Sequence, residues 1–282
     1  MIKIVTDSTC DLPLDLARRL DITVIPMVIN MEGRSYRDGV DITRTEYYQR
    51  LPALKILPTT AAAGADDFEK VYRDLGEAEI VSIHIGASFS GVLNMARVGA
   101  EASEQRVTLV DSQQASMGLG WQAVVAAETA AAGGGLQSVL DAIASVQKRA
   151  KVLALLDTLE YLRRGGRASA TTAALSNLLQ IKLIIEVADS KIAPVARTHT
   201  HGRGMDKLVE IVESLAPLER LAVLHVDNPA GAQVLAERVA HCLPPTSRAS
   251  LIVTDVTAVV GTHAGPGAVG VGIVRAGGLA SA

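Results

Sequence analysis

Aromatic side chains are scarce: one Trp, five Tyr and two Phe make up 3% of 282 residues. Base-stacking platforms for single-stranded nucleic acid are therefore missing, and a core has to be built from Ala, Val, Leu and Ile. Net charge is lacking too. With 27 Lys and Arg against 30 Asp and Glu, the formal charge of -3 generates no field that draws nucleic acid through counterion release. Cysteine is limited to Cys10 and Cys242, far apart and in no CxxC pair, which argues against a disulfide framework or a zinc site and makes the reducing cytoplasm the expected compartment. No Walker pattern and no GxGxxG after a strand occurs, which argues against an NTPase or a dinucleotide enzyme. No GxSxG nucleophile elbow occurs either. The segment from Met1 to Asp7 reads as a strand that meets an acid at its seventh residue, unlike the basic and long apolar regions of a signal peptide. The longest uncharged run, Val256 to Val274, is about long enough to span a bilayer, but it contains His263, Pro266 and five glycines; it reads as two strands around a loop.

What is present is an apolar fraction of 49% against 20% charged residues, which excludes disorder as the main state. At roughly 100 to 200 residues per domain the length favours two domains. Short β-branched runs alternate with Ala-rich helical stretches, the grammar of parallel strands joined by crossover helices. Strands are expected at Ile2 to Val5, Thr23 to Asn30, Ile80 to Ile85, Val107 to Val110 and Val152 to Leu156. Helices are expected at Leu14 to Leu20, Thr45 to Leu51, Asp66 to Leu75, Gly91 to Ala102, Met117 to Ala132 and Leu136 to Ala150, with Gly133-Gly134-Gly135 as a helix break. The grammar then shifts. Ile184 to Ala188 and Ile192 to Val195 predict a hairpin, followed by helix Met205 to Leu215, strand Leu221 to Val226, helix Ala230 to Cys242, strand Ser250 to Val256 and strand Ala268 to Val274. The expected fold class is α/β in two domains, an N-terminal α/β/α parallel-sheet domain over 1–156 and a C-terminal domain with a mixed sheet over 157–282.

Several places can carry chemistry. Thr6-Asp7-Ser8-Thr9 ends the first strand, where open parallel sheets bind ligands; Asp7 and Ser8 are equally explained as caps of the following turn. Ser90 is a helix N-cap candidate between strand and helix, and Gly91 lets a ligand approach the backbone there, so the pair forms a possible anion pocket. Thr262-His263-Ala264-Gly265-Pro266-Gly267 reads as a glycine-rich loop in which His263 can donate to a carboxylate or pair with one. Leu159 to Arg167 reads as a short helix with a basic last turn and a glycine stop; Arg163 and Arg164 suit the helix dipole, while Arg167 lies beyond the stop. His199 and His201 lack a third metal ligand nearby, so no metal site is expected.

In order, these segments resemble the DegV family, whose members include the fatty acid-binding subunits of two-component bacterial fatty acid kinases. The resemblance runs through Ile4-Val5-Thr6-Asp7-Ser8-Thr9-Cys10-Asp11-Leu12-Pro13, Ser90-Gly91, Val110-Asp111-Ser112, Met117-Gly118-Leu119-Gly120, Leu159 to Arg167 and His263-Ala264-Gly265-Pro266-Gly267-Ala268. It implies two α/β domains with one long-chain fatty acid at their junction. It also implies Thr60, Ser90 and His263 as carboxylate ligands, and a kinase-facing surface at Arg167. The chain departs from the family at Thr60-Ala61-Ala62-Ala63-Gly64, where Thr-Ser-Gln-Pro-Ser is common, and at Ser90-Gly91-Val92 in place of Ser-Gly-Thr. These changes remove polar groups that could tune the site.

The expectation is a cytoplasmic, monomeric lipid carrier of a bacterium, with no cofactor and no catalysis of its own, which presents a fatty acid carboxylate to a separate ATP-dependent kinase. The role leaves room for transient membrane contact. The alternative is a hydrolase or acyltransferase using Ser90 and His263. A sensor of a small acid ligand is a third reading. An internal salt bridge of Arg167, ordering the loop before a helix near Thr171, competes with the docking role.

Overall fold

A computed structural model of the chain describes residues 1–76, 78–167 and 181–277; the expected helix near Thr171 lies outside them. The first half carries strands β1 (Ile2–Asp7), β2 (Ile22–Ile25), β3 (Val28–Met31), β4 (Arg34–Arg37), β5 (Thr59–Ala61), β6 (Glu79–His84) and β7 (Val107–Asp111). Between them run helices α1 (Leu14–Arg19), α2 (Arg44–Arg50), α3 (Ala65–Asp74) and α4 (Val92–Ser103), followed by α5 (Met117–Ala131) and α6 (Leu136–Gln147). The second half has β8 (Ala150–Leu156), α7 (Glu160–Arg164), β9 (Lys182–Ala188), β10 (Lys191–Thr198), α8 (His201–Ser214), β11 (Leu218–His225), α9 (Pro229–Val239), β12 (Ile252–Asp255), α10 (Ala258–Ala264) and β13 (Val269–Arg275).

Among the described residues the strands form three sheets. A parallel four-stranded sheet runs β2-β1-β6-β7, and a mixed six-stranded sheet runs β10-β9-β8-β13-β11-β12, with β11 and β12 parallel and the other pairs antiparallel. A small antiparallel sheet, β4-β3-β5, completes the set. This is the expected α/β architecture with a parallel N-terminal and a mixed C-terminal sheet.

Local chemistry explains where the sequence reading holds and where it fails. The expected single strand from Thr23 to Asn30 is two strands, because Pro26 has no N–H for the ladder and releases the chain from the parallel sheet into the small one. The Glu32-Gly33 turn between β3 and β4 has both residues at positive φ, the geometry of a tight hairpin. The Asp189-Ser190 turn that closes β9 and β10 has it too. Gly133, at φ +86°, ends the region of α5 in the left-handed form. The strand expected at Val152 to Leu156 and read with the first half is β8, which pairs with β13 and β9 in the six-stranded sheet.

The largest correction concerns Val256 to Val274. Ala258–Ala264 is a helix, so Thr262 and His263 sit on its last turn, and only residues 265–268 form the loop into β13. Periodicity could not reveal it, since apolar and small residues fill every face.

One core cluster spans both sheets. Helix α5 lies between them, packed on β1 and β6 on one side and on β8 and β13 on the other, and is buried from Met117 through Val124. That explains its lack of a polar face in this region. Its Trp121 Nε1 donates to Gly272 O at 2.9 Å. A second cluster, including Leu153, Leu155, Val223 and Val271, fills the far face of the six-stranded sheet under α8 and α9.

Candidate functional site

A cavity of about 410 Å³ lies between the two sheets, and its wall is overwhelmingly apolar. The six-stranded sheet forms its floor, with Ile185, Ala154, Gly270 and Leu224 standing in register across β9, β8, β13 and β11. Two large side chains thus bank a centre that carries one methyl group and one bare backbone. A Cβ on Gly270 would collide with Leu153 O, so this position stays empty for backbone reasons as well.

Thr60, Ser90, Gly91, Arg167 and His263 all border the cavity, as do Thr9, Ser116 and His225. Thr60 is held by pairing of β5 with Ile29 of β3. His263 comes from the last turn of α10, and its Nε2 lies 2.9 Å from Thr60 Oγ1. The ring fits because the neighbouring helix α7 ends in Gly165, whose missing side chain would collide with His263 Nδ1. Burial, reinforced by the Arg167 charge, lowers His263 to about 4, so the ring is neutral at physiological pH. Nδ1 is buried without a partner among the described residues. An orphaned N–H is rarer in folded proteins than an under-used acceptor, which assigns the proton to Nε2. His263 then donates to Thr60, and the Thr60 hydroxyl proton is free for an anion.

Ser90 is not the N-cap of α4. Gly91 holds that position, since Asn94 N and Met95 N both bond to Gly91 O, and Ser90 precedes it by one residue. The start of α4, with its partial positive charge, still opens on the cavity, and the space beside Gly91 is empty. Arg167 is half-buried; its guanidinium donates to Phe89 O (3.4 Å) and Gly165 O (2.6 Å), which ties it to the loop that carries Ser90.

The other sequence-derived positions are structural. Asp7 caps the turn Ser8–Cys10 by accepting from Thr9 N (3.0 Å), and it also meets His84 Nδ1 (3.0 Å) and Ile85 N (3.1 Å) in full burial. Ser8 accepts from Met27 N (3.1 Å) and donates to Asp38 (2.9 Å). His201 opens α8, and among the described residues no group of three His, Cys, Asp or Glu is placed to hold a metal ion. No helix among them is long and apolar enough to cross a membrane. Sequence reasoning passed over Asp11 and Asp38, two buried carboxylates at the start of α10, because in one dimension each looks like an acid in a turn.

Fold and cavity together define a class: a two-domain α/β protein with an apolar cavity between its sheets and a small polar cluster on the cavity wall. The chain belongs to the DegV family of uncharacterised proteins, whose family model matches residues 1–276. It is 35% identical over 279 residues to a DegV domain-containing protein of Streptomyces coelicolor, covering 96% of this chain and 97% of that one. Its fold superposes with a TM-score of 0.88 on a DegV family protein from Thermus thermophilus described as fatty acid-binding, at 32% identity and over 98% of this chain and 99% of the other. A protein from Thermotoga maritima described as having a fatty acid-binding function gives 0.86 at 26% identity, with the same coverage.

Proposed function

We propose that this protein binds a long-chain fatty acid, with the acyl chain in the cavity and the carboxylate at Thr60, His263, Ser90 and the start of α4. The observation that carries the reading is the cavity itself, largely apolar and bordered by the Thr60–His263 pair, a helix start and a guanidinium. Burying each methylene is worth about 0.8 kcal/mol, so a long chain supplies ample affinity without many polar contacts. The likeness to the Thermus and Thermotoga proteins supports the same ligand class.

The fuller role follows from the family resemblance. The chain presents the carboxylate to a separate ATP-dependent kinase for acyl phosphate formation, and Arg167 at the cavity lip contacts that partner. Arginine's bidentate donors suit an acidic patch or a phosphoryl group. A hydrolase built on Ser90 and His263 is disfavoured, because the imidazole Nε2 engages Thr60 and a ring lowered to about 4 is a weak base.

Native mass spectrometry of protein purified from a bacterial host tests the ligand. One fatty acid per chain is the expected result. A protein that arrives empty and also takes up neither palmitate nor stearate would refute the binding role.

A further inference from the structure

The helix that carries His263 begins against two buried carboxylates. Asp11 Oδ1 accepts the N–H of Thr257 at 2.6 Å, and Asp38 Oδ1 accepts that of Ala258 at 3.3 Å. The second oxygen of each is held by a serine: Ser116 Oγ donates to Asp11 at 2.5 Å and Ser8 Oγ to Asp38 at 2.9 Å. All four side chains are buried. Arg44 lends positive charge nearby while its guanidinium donates to Leu12 O and Asp255 O.

This is a costly way to start a seven-residue helix. Thr257 stands at the N-cap, yet its own side chain makes no capping bond. A local Ser, Thr or Asp would ordinarily do that work, and buried carboxylates are expensive unless fully bonded. Burial raises Asp11 to about 6, against the pull of Arg44 and Ser116, and raises Asp38 as well. Ser116 holds φ +53° and ψ −147°, a backbone state that non-glycine residues rarely adopt. The origin of the two acids gives the arrangement a purpose. Asp11 follows β1, and Asp38 follows β4 in the small sheet whose β5 carries Thr60. The unit that fixes Thr60 therefore also fixes the start of α10. Further grips come from Tyr47 OH on Thr262 (2.6 Å) and Tyr48 OH on Val256 O (3.0 Å).

We infer that Asp11 and Asp38 are positioning residues of the cavity's polar cluster: by fixing the start of α10 against the N-terminal unit, they set His263 against Thr60. Its consequence for binding rests on reading Thr60 and His263 as a carboxylate site. The side-chain geometry is a property of the chain without ligand and can be tested separately.

The test combines the nitrogen NMR shifts of His263 in delipidated full-length protein with palmitate titrations in a double-mutant cycle. Asp38→Ala should move His263 from one dominant Nε2–H tautomer toward the mixture of a free imidazole. Asp38→Asn keeps an acceptor and should restore the wild-type shifts. Ser8→Ala, which loosens Asp38 without removing it, should shift His263 in the same direction by less, and it serves if Asp38→Ala does not fold. Asp38→Ala should weaken palmitate about tenfold, Thr60→Ala by at least as much because it also removes the hydroxyl that meets the anion, and the double variant no more than Thr60→Ala alone, because the Thr60–His263 hydrogen bond is then already gone. Losses that multiply to about a hundredfold, or His263 signals unmoved in both Asp38→Ala and Ser8→Ala, would overturn the positioning role. If the wild-type chain takes up no palmitate, the binding reading falls and the nitrogen shifts alone decide the positioning.

Discussion

Ala154 offers the most direct probe of where an acyl chain lies. It occupies the centre of the floor row, between Ile185 and Gly270, and its methyl group faces the cavity. Gly270 is the poorer choice, since any Cβ there meets Leu153 O before it meets a ligand. Ala154→Leu keeps the backbone and adds three carbon atoms to the trough. Because they enter open space, overpacking strain is small and the ligand-free protein should melt at or slightly above the wild-type temperature. A bound chain, however, loses room for about three methylenes, worth about 0.8 kcal/mol each, so stearate binding should weaken by about 2.4 kcal/mol, or roughly 60-fold. Competition against a fluorescent fatty acid measures the loss. Laurate, if short enough to stop before the trough, should lose much less. Unchanged stearate affinity, with the chain still retained in native mass spectra, would show that the acyl chain does not run over Ala154 and that the trough has been misread.

His263 gives a pH signature. Its ring titrates near 6.5 in the unfolded chain and at about 4 when folded, so between these values the unfolded state holds more protons. The neutral ring's contribution is complete above 6.5 and is lost as pH falls toward 4. The stability gap between wild type and His263→Ala should therefore shrink by on the order of 3 kcal/mol on acidification over that window; parallel denaturation profiles would contradict the burial argument. Arg167→Ala should leave melting temperature and fatty acid content nearly unchanged while cutting acyl phosphate production with a cognate kinase, and a joint loss of stability and ligand would make Arg167 structural.

Much of the fold was legible because its strands and helices announce themselves locally. Ile2–Asp7 and Glu79–His84 are short apolar runs before turn residues, and the glycine run after α5 stops that helix. The failures share a physical cause. β4 is an exposed, charged edge strand, whose only signal is the Glu32-Gly33 turn before it. α10 is capped by acids more than two hundred residues away in sequence, while the Thr257 that precedes it makes no capping bond of its own, so the local start signal is weak. His263 was found as a residue and misplaced as a loop residue for the same reason. Ser90, set one position too early as a cap, shows how weakly sequence fixes the first turn of a helix when a glycine follows.

The cavity floor shows where reading must stop. Val269-Gly270-Val271-Gly272-Ile273 alternates β-branched residues with glycine at period two, which predicts a strand with one bare face and a close approach on that side. The two glycines use that bare face by different means. Gly272 receives the backbone and Cβ of Met117, so the bare face is filled by α5. Gly270, two residues earlier on the same face, borders the chamber instead. What separates them is register: Gly272 pairs with Val152 and Ala222, under the start of α5, while Gly270 pairs with Ala154 and Leu224 beyond it. The same absent side chain thus admits a helix at one position and leaves room for a ligand at the next, and only the pairing of distant strands decides which.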